Sequence, residues 1–246
     1  MLWKKSLFIS LFILVIVLSA CSGTATSEQM YNHLEEAVEL EQTFQKQQQE
    51  IVTLEQEEQE IYSQVIDLSM DEFDKIKELS AQALDNIETR QEKIELEKES
   101  MDTSKEEFSN VDDMIADLED ETVSEKADEM SNVMMNRYDA YDDLHESYAK
   151  SLELEKDLYT MLQEEDLEQE TLSNHITELN DSYQNVIEAN ETFNELTTEY
   201  NTLKKEFYEA AEIEVEYEED MSSEEKKSDQ DDTDEPEKEK QTDSDD

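Results

Sequence analysis

The 246-residue sequence predicts an all-α protein, an elongated antiparallel bundle of about four long helices with coiled-coil-like seams. Three observations carry that reading. The chain has one Gly (Gly23) and one Pro (Pro236), so nothing from Thr24 to Glu235 supplies the turn residues that a sandwich, a doubly wound sheet or a barrel needs. Apolar residues recur at steps of three and four over long runs, the pattern of a helix seam. Hydrophobic residues are only 35% of the chain, part of them in the first twenty positions. Long thin helices suit that share better than a thick core.

The first element is an address segment. Lys4 and Lys5 precede an apolar run from Leu7 to Leu18, interrupted only by Ser10. As a helix that run spans about 18 Å, short of a bilayer core of about 30 Å. Residues 1–20 therefore read as a signal peptide and not as a membrane span. The tetrapeptide Leu18-Ser19-Ala20-Cys21 resembles the lipobox of bacterial lipoproteins. That resemblance implies cleavage before Cys21 and a lipid on its sulfur, which would tether the chain outside the cell at its N-terminus. The alternative is an ordinary signal peptide that leaves Cys21 as an incidental thiol. Residues 21–28 then form the lipidated cysteine and a short polar spacer.

The helical body covers 29–213, with helices expected over about 28–67, 70–119, 124–163 and 167–213. Residues Tyr31, Leu34, Val38 and then Ile51 to Leu68 mark the first seam, and Phe73 to Leu118 the second. Met130 to Leu162 mark the third, and Leu172 to Tyr200, continued by Leu203, Phe207 and Ala210, the fourth. Ser69 to Glu72 and Thr122 to Glu125 match the capping box, and Asp166 with Gln169 is a weaker version. At 1.5 Å per residue the helices run on the order of 60–75 Å, and short connections make neighbours antiparallel. Polar residues recur in the seams: Glu58, Ser80, Arg90 and Glu97, then Ser104, Arg137, Glu155 and Asn190. They either fix register by pairing or lie in partly wet seams of a thin bundle; the wet seam is the preferred reading. From Glu214 the pattern ends. Residues 214–246 hold 17 acids and four lysines, a composition that predicts an acidic disordered tail.

Charge and chemistry narrow the function. With 71 Asp and Glu against 19 Lys and Arg, the net charge is −52, which repels nucleic acid and anionic lipid. One cysteine allows neither a disulfide framework nor a thiolate zinc site. His33, His145 and His175 lack the spacing of a zinc protease, so no metal is expected, and no cofactor besides the lipid on Cys21. Serine nucleophiles lack a glycine-flanked elbow, and the acidic run from Asp229 to Asp234 lacks the turn glycine of a calcium loop. No catalytic residue is assigned. Tyr141, Tyr148, Tyr183 and Tyr200 occupy seam positions, whereas Tyr138, Tyr159 and Tyr208 remain as candidates for stacking on a glycan.

Several stretches resemble one family: Tyr31 to Val38, EFDKIKELSAQAL (72–84), EKESMDTSKEEF (97–108), RYDAYDDLHESY (137–148) and NETFNELTTEYNTLKKEFYEAA (190–211). Together with the lipobox they resemble the YkyA-type cell-wall-binding lipoproteins of Gram-positive bacilli. The resemblance implies an all-helical lipoprotein on the outer face of the membrane, and it transfers no catalytic residues. The expected role is non-catalytic binding or spacing at the membrane–wall interface, with peptidoglycan as the candidate partner. A scaffold for another envelope protein is the alternative, a wall hydrolase ranks behind both, and a seam that pairs between chains leaves a homo-oligomer open.

Overall fold

A computed structural model describes residues 22–215, which form five α-helices and no strand. They are α1 (Ser22–Leu40), α2 (Gln42–Ile66), α3 (Phe73–Ile115, entered through a 3-10 turn at Met70–Glu72), α4 (Glu121–Met161) and α5 (Gln169–Ala210). The signal peptide, Cys21 and nearly all of the acidic tail lie outside the described residues. α3 runs antiparallel along both α1 and α2, α4 packs on α3, and α5 packs on α4. The expected up-and-down bundle is thus formed, with α1 and α2 together taking the place of its first helix. α1 begins at Ser22, inside the stretch read as a polar spacer.

The interruption between α1 and α2 has a side-chain cause. Ser100 of α3 inserts at the break: its Oγ accepts from the Phe44 N–H at 3.2 Å, and its hydroxyl donates to the Leu40 carbonyl at 2.6 Å. The serine thereby bridges the donor and acceptor that a continuous helix would join directly. Glu41 bonds back only three residues, to Val38 O at 3.2 Å. That frees the Ala37 carbonyl to accept from Ser104, one turn along α3, at 2.9 Å. Two serines spaced by four residues on one helix therefore open and re-satisfy the ladder of another.

The helix ends follow capping chemistry with local corrections. Ser69 and Glu72 form the expected capping box, at the head of the 3-10 turn. α4 instead starts at Glu121, and Asp120, not Thr122, caps it by accepting from the Thr122 and Val123 N–H groups at 2.9 and 3.1 Å. Asp166 caps nothing, since α5 starts after Glu168 with no side-chain cap bond. α5 closes through a 6→1 bond from Ile213 N to Tyr208 O at 2.9 Å and a 5→2 bond from Glu212 N to Glu209 O at 3.3 Å. Glu212 takes φ 56° there, a place usually held by Gly, in a chain without one to spare.

The core changes character along the bundle. One aliphatic layer gathers Ile51, Ala83, Ile87, Ile94 and Leu152 around Tyr159, and smaller clusters hold Val65, Ile76 and Leu79, and Leu154, Leu158 and Leu179. Towards α1 the core turns aromatic. Phe44, Tyr141 and Phe193 stack mutually at 5.6–5.8 Å, and Phe108 packs edge-on against Tyr138 and Tyr200 at 6.1 and 6.2 Å.

Candidate functional site

Arg90, Arg137 and Glu155 of the seams are dry and paired, which corrects the wet-seam expectation for them, whereas Glu58 is half-buried and Asn190 exposed. Arg137 of α4 donates Nη1 to Glu41 Oε1 and Nη2 to Glu41 Oε2, both at 2.7 Å, and Nε to Thr197 Oγ1 of α5 at 2.9 Å. The two side chains are 6% and 9% exposed. The Tyr138 hydroxyl donates to Ser104 Oγ at 2.7 Å, beside the same carboxylate. Further along, Arg90 pairs with Glu155, both buried, and donates to Asn86 Oδ1 at 3.1 Å. Tyr183 of α5 donates to the other oxygen of Glu155 at 2.9 Å, and Tyr148 joins Arg90 to Glu55 of α2. Burial raises the Glu155 carboxyl above its ordinary range, while Arg90 works against that rise. Each network touches every limb of the bundle, and each buried guanidinium donates through Nε, Nη1 and Nη2, as burial of a charge pair requires.

The candidate glycan platform fails on burial. Tyr138, Tyr159 and Tyr208 are 1%, 0% and 1% exposed, so no ring face is open to a sugar. Their hydroxyls end on Ser104, Glu58 and Glu35 respectively. Burial of the rings lifts all three phenols above the ordinary tyrosine range. Of the seam tyrosines, Tyr141 and Tyr200 are fully buried and Tyr148 and Tyr183 half-buried, as packing residues are. Leu18, Ser19, Ala20 and Cys21 lie outside the described residues. His33 faces Glu107 at 2.5 Å, and His175 Nε2 lies 2.8 Å from the Leu154 carbonyl. Among the described residues no group of three potential metal ligands converges, and no helix is long and apolar enough to cross a membrane.

A concave site exists where the sequence signalled only a seam. With α2 seated on α3 and α5 on α4, a cavity of about 420 Å³ remains between α2 and α5. Its apolar wall is Ile51 and Val52 from α2, Leu144 from α4, and Val186 and Ile187 from α5. Val52 and Ile187 are 48% and 51% exposed at its mouth. Its polar groups are Glu97 of α3, Tyr141 and His145 of α4, and Glu55 and Glu191 at the flanks. Glu97 is 3% exposed; Gln48 Nε2 donates to it at 2.9 Å, and the Tyr141 hydroxyl faces the same carboxyl. Burial pushes its carboxyl up to about 7, with the Glu55 charge adding to the rise and Gln48 opposing it. The Tyr141 hydroxyl feels the Glu97 charge yet closes no ordinary hydrogen bond, and neither does His145 Nε2. The nearest charge to His145 is Glu95, 4.0 Å away. Asn190 was a hint, a polar residue in the α5 seam that turns out exposed beside this opening.

Fold and site define an all-helical bundle with an apolar, acid-floored cleft among its described residues. The chain belongs to the YkyA family, described as "Putative cell-wall binding lipoprotein", which matches residues 25–210. It is 34% identical over 198 residues to the "Uncharacterized lipoprotein YkyA" of Bacillus subtilis (strain 168), covering 80% of this chain and 89% of that protein. The crystal structure of a conserved protein of unknown function from Staphylococcus aureus superposes with a TM-score of 0.67 at 15% identity, over 74% of this chain and 91% of that one. That likeness shows the bundle fold.

Proposed function

We propose that the protein is a lipid-anchored lipoprotein on the outer face of the cell membrane, with a non-catalytic binding or spacing role at the membrane–wall interface. The observation that carries this reading is the family match, which begins at residue 25, four residues beyond the lipobox-like Leu18-Ser19-Ala20-Cys21. The lipid on Cys21 holds the chain at the bilayer, since two or more acyl chains give durable anchoring. The bundle stands off the surface, and the charge of −52 repels anionic polymers unless divalent cations intervene.

The test is sedimentation of the detergent-solubilised protein with purified peptidoglycan sacculi, with and without teichoic acid, in Mg²⁺ or in EDTA. Saturable pelleting on sacculi stripped of teichoic acid is the expected result. Pelleting that needs both Mg²⁺ and teichoic acid reduces the role to charge bridging. No pelleting in any condition contradicts wall binding and favours the scaffold for another envelope protein, which should then co-purify with a defined partner.

A further inference from the structure

We infer that the cleft between α2 and α5 is a binding site for a primary ammonium group carried on an aliphatic stem. An ammonium presents three N–H donors and no acceptor. The cleft offers two acceptor groups with capacity to spare, the carboxyl of Glu97 and the hydroxyl oxygen of Tyr141, with the His145 ring beside them. Tyr141 is 1% exposed, its hydroxyl closes no ordinary hydrogen bond, and its ring lies 6.3 Å from the His145 ring. A buried hydroxyl without a partner costs about 1–3 kcal/mol, a penalty that a bound donor removes.

The charge around the cleft has one sign. Glu55 and Glu191 line the cleft with Glu97, alongside the Gln48 and Asn190 amides, and the lining holds no Lys or Arg. An anionic or purely acceptor ligand meets repulsion there, and a neutral alkane leaves the polar corner unsatisfied. A cation answers both. The stem has its own place: Ile51, Val52, Val186 and Ile187 are apolar lining of the same cleft, Val52 and Ile187 at its exposed mouth. About 420 Å³ admits a chain of several carbons with its head group. The inference rests on the cleft alone and stands whether or not the protein binds the wall.

The same ammonium can come from a free alkylamine or from a lysine-like side chain in a peptide, and the test separates the two. Isothermal titration of the detergent-solubilised full chain in about 0.15 M salt, which screens the acidic surface, uses n-pentylamine, n-pentanol and Nα-acetyl-lysine N-methylamide. Saturable binding of one n-pentylamine is expected, at least about tenfold tighter than n-pentanol. Glu97→Gln should weaken it by about tenfold, and Ile187→Arg, at an exposed position of the mouth, should do the same without touching the core. Comparable binding of the lysine derivative assigns the amine to a peptide, and its exclusion assigns a free amine. Equal affinity for pentanol and pentylamine overturns the inference. So does binding at many equivalent sites, or affinity unchanged in both variants.

Discussion

Arg137 grips Glu41 through two parallel N–H···O bonds of 2.7 Å, at the one residue between α1 and α2 that lies in neither helix. The break in the first limb and the buried charge of the third are one feature. Glu41 ties α4 to the point where α1 hands over to α2, and Thr197 extends the tie to α5. Removing one member leaves an uncompensated buried charge, which costs about 3–5 kcal/mol. Glu41→Ala should lower the unfolding free energy by that amount in urea titration. Replacing the pair together by Glu41→Leu and Arg137→Met should recover most of it. A single-variant loss below about 1 kcal/mol would mean the pair is hydrated and the dry-seam account wrong.

The folded state holds the Glu97 carboxyl at about 7, well above its ordinary value, because burial disfavours its charge. A raised carboxyl stabilises the fold below the unfolded pKa, and that contribution disappears as pH rises through about 7. Glu97→Gln keeps the neutral shape at every pH. The variant should therefore gain on the wild type between about pH 5 and pH 8, by on the order of 3 kcal/mol. Other carboxylates titrate in both proteins, so the difference between them is the quantity to follow by urea unfolding. A difference that stays flat with pH contradicts the buried-acid floor of the cleft.

Ser100 bridges Phe44 N–H to the Leu40 carbonyl across the α1–α2 break. Ser100→Ala should cost about 1–3 kcal/mol, since both groups lose that partner. Hydrogen exchange gives the sharper readout, because the Phe44 amide should lose protection while amides in the middle of α3 keep theirs. Unchanged protection at Phe44 would show that the break does not depend on the serine.

Tyr208 packs against Tyr31 at 5.3 Å and donates to Glu35 at 2.7 Å, locking the end of α5 onto α1. Tyr208→Ala should cost about 3–5 kcal/mol, as deletion of a buried aromatic does. Tyr208→Phe should leave sedimentation with sacculi unchanged. Lost pelleting in that variant, with stability retained, would restore the tyrosine as a contact residue.

The sequence made the helices legible because steps of three and four survive in every run, and the scarcity of Gly and Pro left few alternatives. It hid the break at Glu41. Between Val38 and Ile51 the inward positions are held by Glu41, Phe44 and Gln47 in a Gln-rich stretch, where one aromatic residue is too little for a periodic signal. The buried pairs were half visible: Arg90, Arg137 and Glu155 stood out as polar seam residues, but a partner on another helix follows from register, which one sequence does not contain. Tyr138, Tyr159 and Tyr208 looked free because they flank the seam. Each helix here touches neighbours on more than one side, so the buried face is wider than a single seam. The cleft was invisible for a related reason. Glu97 and Asn190 read as interruptions of two seams, and only the packing of α2 on α3 and of α5 on α4 brings them to one opening.

Anchoring through Cys21 is the claim on which the cellular reading depends, and fractionation tests it most directly. Protoplasts expressing the wild-type chain should retain it with the membrane and lose it to protease added outside. The Cys21→Ala protein should leave the membrane fraction and collect in the medium or as unprocessed precursor. A Cys21→Ala protein that stays on the membrane at its mature size, or a wild-type protein shielded from external protease, contradicts the account of a lipid-tethered bundle facing the wall.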